Sequence, residues 1–109
     1  MKRNIVALAV LAAMALGSVG CDKLKARDNL KRGVQSFTNA KYPEAVAYFQ
    51  KAVQLDPTYT TTHEYLAIAY MSQYIPGAES PENVRMAENA YNEFQEVLRL
   101  DPKDENARD

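Results

Sequence analysis

The chain has little of what builds covalent or metal-held frameworks. It contains one cysteine, Cys21, and one histidine, His63, among 109 residues. A single thiol excludes a disulfide framework within the chain and any cysteine-based zinc site. A single imidazole excludes a histidine metal cluster within the chain. Glycine is sparse: of the four present, Gly33 and Gly77 stand isolated, so no phosphate-cradling loop is formed. Neither sign of charge dominates, with 13 Lys and Arg against 14 Asp and Glu and a net charge of −1. That balance excludes a strongly basic nucleic-acid binder. The longest apolar run, Ile5 to Leu16, is 12 residues, too short to cross a hydrocarbon core of roughly 30 Å as a helix.

What is present is unevenly spread. The first 20 residues hold 14 apolar residues, and their only charges are Lys2 and Arg3. A short basic start, an apolar run and then small residues (Gly17-Ser18-Val19-Gly20) have the layout of an export signal over residues 1–20. Ser18-Val19-Gly20-Cys21 resembles the lipobox of bacterial lipoproteins, with Ser18 in place of the commoner Leu. The resemblance implies a diacylglycerol on Cys21, cleavage before it, acylation of its new amine, and a short linker over 21–25. It also implies a lipid-anchored protein of the bacterial cell envelope. Two or three acyl chains hold a soluble domain stably where one binds only marginally. An ordinary secretory signal with an incidental Cys21, and a short membrane anchor, are the other readings of the same residues. Asp22 resembles an inner-membrane retention signal of some lipoproteins, which leaves the choice of membrane open.

Two Leu-Asp-Pro triplets, at 55–57 and 100–102, follow matching apolar spacings. Ala45, Phe49, Ala52 and Leu55 precede the first; Ala90, Phe94, Val97 and Leu100 precede the second. Steps of four, three and three lay one apolar stripe along a helix. Asp is a good N-cap and Pro suits a first helical turn, so each triplet is expected to end one helix and open another. The pattern resembles the tetratricopeptide repeat, a 34-residue helix–turn–helix unit. Gly33, Tyr42, Ala45, Phe49, Ala52 and Pro57 match one unit over 26–59; Leu66, Ala67 and Tyr70 open a second over 60–102. The expected fold class is all-α: two such units forming a short α-solenoid, with 103–109 a tail or the opening of another repeat. The expected helices are 23–39, 43–55, 58–74 and 81–100, with Leu30, Val34 and Phe37 facing inward.

The second unit departs from the repeat. The alanine expected at position 79 stands at Ala90, eleven residues later. Pro76 and Gly77 end one helix, and Ser80-Pro81 supplies a cap and first turn for the next. Within this extended inter-helix segment, 75–86, the expectation is either a docking element or a brace in which Ile75 and Val84 pack the helix ends.

Little chemistry is suggested. His63 falls near a helix start and reads as solvated or edge-packed. Glu93 and Glu96 read as the wet face of the last helix. No enzyme and no cofactor are expected. From Asp22 to Tyr59 the chain carries seven basic and four acidic residues; from Thr60 onward it carries four basic and ten acidic. The basic part adjoins Cys21, where it suits anionic headgroups. Resemblance to peptide-binding repeats implies a groove lined by Arg27, Leu30, Val34, Phe37 and Thr38, then Thr61, Glu64, Ile68, Met71 and Ser72. Leu30 and Val34 replace the Lys and Asn with which clamp-type repeats hold a terminal carboxylate, so a mixed apolar groove is expected. The implied function is a membrane-anchored scaffold with a protein partner; an envelope protein binding a small ligand is the alternative. Tyr91, Phe94, Val97 and Leu98 cannot all face one preceding hairpin, so self-association through the last helix is also expected.

Overall fold

The computed structural model describes residues 2–104, with side chains from residue 20 onward. The side chains of the apolar run and residues 105–109 lie outside the described residues. Four helices follow one another: α1 Lys2–Thr38, α2 Tyr42–Leu55, α3 Thr60–Gln73 and α4 Pro81–Leu100. α1 packs along α2 and α3 along α4, while α2 against α3 joins the two hairpins. The result is a pair of stacked helical hairpins, with no strand among the described residues.

Helices α2 and α4 begin and end within a residue of the expected bounds. α1 does not begin at 23: it runs as one helix from Lys2 through Cys21. Its sequence holds no proline, and single glycines weaken a helix by only about 1 kcal/mol each, so nothing stops it between the apolar run and the first hairpin. α3 starts at Thr60, two residues later than the Asp-Pro signal suggested. Asp56 does not cap it. The backbone of Asp56 closes α2 onto Ala52, and its carboxylate accepts from Arg27 (3.3 Å) and Thr58 (3.4 Å). Asp101 repeats the arrangement, closing α4 and accepting from the Lys103 amide at 3.2 Å. Asp-Pro therefore ends a helix and makes a turn at both sites, and after Asp56-Pro57 the next helix starts only at Thr60.

The core is built from two large rings, Phe49 and Tyr70, and many smaller side chains. Phe49, Ala45 and Ala52 are fully buried on α2, with Leu66, Ala67 and Ala69 on α3 and Ala90 and Val97 on α4. The alanines let helices approach, and Phe49 fills the space this leaves. A Cβ added at Gly33 would lie 2.6 Å from Phe49 Cδ1 and closer still to the neighbouring ring carbon, so only glycine lets α1 cross the ring here. Tyr65 stacks on Phe49, with ring centroids 5.6 Å apart. Burying a phenylalanine side chain contributes on the order of 3 kcal/mol, which makes Phe49 the chief apolar anchor between hairpins.

Leu30, Val34 and Phe37 pack against this core from α1, half-buried, in line with the sequence. The last helix is better covered than expected: Val97 is fully buried, Phe94 packs on the core and Leu98 is half-buried. Only Tyr91, 63% exposed, stands clear of the four.

The expected brace is absent, and another takes its place. Ile75 and Val84 are exposed. Buried Asn83 holds residues 74–80 instead. Its Oδ1 accepts from the Ile75 amide at 2.6 Å, and its Nδ2 donates to the carbonyls of Ile75 (2.7 Å) and Ala78 (2.8 Å). Ser80 caps α4 by accepting from the Asn83 amide. An amide side chain meets three loop groups at once, the Ile75 carbonyl also accepting from the Ala78 amide, which an apolar side chain cannot do.

Candidate functional site: the α1–α3 surface

The ten residues expected to line a groove separate into two groups. From α1, Leu30, Val34 and Phe37 are half-buried against the core, and Phe37 meets the Tyr42 ring edge-on at 5.3 Å. Arg27 is not free: its guanidinium pairs with Asp56 and lies over the Tyr59 ring, 3.2 Å from the centroid. Thr38 is exposed and donates to the Val34 carbonyl. From α3, Thr61 and Glu64 are half-buried, while Ile68, Met71 and Ser72 are exposed. Ser72 donates back to the Ile68 carbonyl, which leaves the apolar Ile68 and Met71, 43% and 47% exposed, as what this helix offers to solvent. Glu64, Ile68 and Met71 stand at helical spacing and form one stripe.

At one end the stripe is acidic. Glu64 is pushed up to about 7, first by its hydrogen bond to Asp104, then by burial and by the charges of Asp104 and Asp101. Past the other end, Ile75 is a further exposed apolar residue in the loop after α3.

The structure corrects two assignments beside this surface. His63 is buried, not solvated. Its Nδ1 lies 2.6 Å from Glu93 Oε2 and its Nε2 lies 2.7 Å from the Pro57 carbonyl. A carbonyl only accepts, so Nε2 carries a hydrogen; an ionised carboxylate at Nδ1 calls for a second. The imidazolium satisfies both partners. Accordingly the His63 pKa is raised, chiefly by the hydrogen bond to Glu93 and against the opposing effect of burial. Glu93 is therefore half-buried and engaged rather than part of a wet face. The signal was available: Glu93 lies three residues after Ala90 and four before Val97, on the buried side of α4. A partner thirty residues away, by contrast, leaves no local trace. Gln50 and Tyr70, bonded at 2.8 Å across α2 and α3, were missed for the same reason.

Cys21 is exposed on α1. Among the described residues no helix is long and apolar enough to cross a membrane, and no group of three or more His, Cys, Asp or Glu could hold a metal ion.

The hairpin order, the small residue at Gly33 under Phe49 and the Asp-Pro turns settle the fold. The chain is an all-α short helical repeat of two hairpins, in the element order expected for units resembling the tetratricopeptide repeat. No family model and no curated protein matches its sequence. Among solved structures it is similar to the first TPR domain of Spaghetti (RPAP3) bound to the HSP90 peptide SRMEEVD. That similarity is 20% in identity with a TM-score of 0.45, covering 79% of this chain and 86% of the other.

Proposed function

We propose that this chain is a non-enzymatic scaffold of the bacterial cell envelope, anchored by acyl chains on Cys21 and holding a protein partner on its α1–α3 surface. The observation that carries the reading is the Ile68–Met71 stripe, two exposed apolar residues on an otherwise well-packed helix of a repeat fold. Isolated exposed apolar residues are ordinary, but a row at helical spacing on the concave helix of a solenoid is where such folds take partners. The position of Cys21 supports the anchor: it is the chain's only thiol, it is exposed, and it directly follows Gly20. Self-association belongs to the same proposal, with Val84 and Tyr91 the exposed apolar residues of α4.

The test is affinity capture of the full chain from detergent-solubilised membranes, beside Ile68→Asp and Met71→Asp. A stoichiometric protein that is lost with both substitutions supports the scaffold. A partner retained by both moves the binding surface elsewhere. Mass spectrometry of the mature chain should show an acylated Cys21 at its N-terminus; an unmodified thiol or an intact Met1 removes the anchor from the proposal.

A further inference from the structure

The side of α1 away from the groove has its own pattern. At 3.6 residues per turn, Cys21, Leu24, Lys25, Asp28 and Arg32 share a sector of about 100°, while Leu30, Val34 and Phe37 lie on the opposite side. Leu24 is 73% exposed, more than any other large apolar residue among those described. Beside it, Lys25, Asp28 and Asn29 form a cleft with Lys51 and Leu55 from the end of α2. Leucines from two helices thus stand next to lysines from the same two helices. The acid in the cleft, Asp28, is already paired with Arg32 at 3.0 Å, so it does not neutralise the lysines.

We propose that this cleft is the membrane-contacting face of the domain, with Lys25 and Lys51 on anionic phospholipid headgroups and Leu24 dipping into the interface. The proposal rests on the reading of Cys21 as the anchor. An acylated Cys21, on the same side of α1 one turn before Leu24 and Lys25, holds that sector within reach of the bilayer. The charges then match: this half of the chain is basic and the far half acidic. Each lysine near an anionic surface contributes attraction of about 1 kcal/mol. Leu24 adds a short apolar contact, and long lysine stems keep their amines at headgroup level.

The experiment uses the full chain, purified in its mature form and placed in vesicles of phosphatidylcholine, either alone or with phosphatidylglycerol added. Lysines are acetylated with a water-soluble reagent and mapped by mass spectrometry. Lys25 and Lys51 should react roughly five-fold more slowly in the anionic vesicles, while exposed Lys41, in the α1–α2 turn at the other end of the hairpin, should not change. High salt should remove the difference. Lys25→Glu should abolish the difference at Lys51, and Lys51→Glu that at Lys25, while leaving thermal unfolding unaltered, since both side chains are exposed. Equal rates in the two vesicles overturn the proposal. So does equal protection in both, which would mean that the anchor alone brings the face close. Protection that grows with protein density at fixed lipid composition also overturns it, in favour of a second copy. Failure of the anchor shows separately, as an unacylated Cys21 in the same spectra. In that case flotation of the chain with anionic but not neutral vesicles supports the cleft, and no flotation overturns it.

Discussion

Two residues carry unusual local circumstances, and each has a measurable outcome. Ala40 sits at φ 59° in the turn between α1 and α2. Its amide bonds the Phe37 carbonyl and the following amide, of Lys41, bonds that of Ser36, a closing pattern that normally places glycine at this position. A left-handed alanine costs about 1 kcal/mol or more, so Ala40→Gly should raise stability by about 1 kcal/mol in denaturant unfolding, less the added chain entropy of glycine. The pH response belongs to His63 and Glu64. Both have folded pKa values above their ordinary ones, so the folded state holds more protons than the unfolded state between those limits. Stability must then fall as pH rises: for Glu64 between about 4.5 and about 7, and for His63 above 6.5. Melting temperature should decline from pH 5 to pH 8, and Glu64→Gln should flatten the lower part of that slope. A melting temperature that climbs over this range would contradict both assignments. Neither circumstance was legible in the sequence: an alanine announces no positive φ, and the proton-sharing partners of His63 and Glu64 lie on another helix or beyond its end.

At the scale of elements, the legible features were those fixed by neighbours in sequence. The stripe through Ala45, Phe49 and Ala52 placed α2, and Ser80-Pro81 placed the start of α4, because caps and apolar periods act within one or two turns. The errors came where one signal had two outcomes. Asp56-Pro57 can cap the next helix or close the last one, and the Arg27 guanidinium across the hairpin decided for closure. Likewise Ile75 and Val84 suggested apolar bracing, yet the polar backbone of the loop made a hydrogen-bonding side chain the better solution. Of the ten residues expected to line a groove, Thr38, Ile68, Met71 and Ser72 are exposed, while the engagement of Arg27 left no local signal in the sequence. The loop supplies the prediction at this scale. Asn83→Ala should lose about 1–2 kcal/mol and speed hydrogen exchange at Ile75 and Ala78, with the first hairpin unaffected. Unchanged exchange at Ile75 would mean that the turn holds itself without the amide.

At the scale of the molecule, two long-range ties end on one short stretch. Arg27 from α1 reaches Asp56 and Tyr59, while His63 from α3 grips the Pro57 carbonyl and is itself held by Glu93 from α4. All three helices outside α2 are thus referred to residues 56–59. Repeat proteins usually tolerate added residues between their units, because each unit mostly contacts its neighbours. This joint should be an exception. Three glycines inserted between Pro57 and Thr58 would displace the carbonyl from the imidazole and Tyr59 from the guanidinium together, and calorimetry should then show a broader transition in place of one cooperative melt. Unit number in such a chain is therefore not freely editable at this seam: a hairpin grafted here would have to bring its own basic residue and its own histidine, so the pair is inherited as a single block.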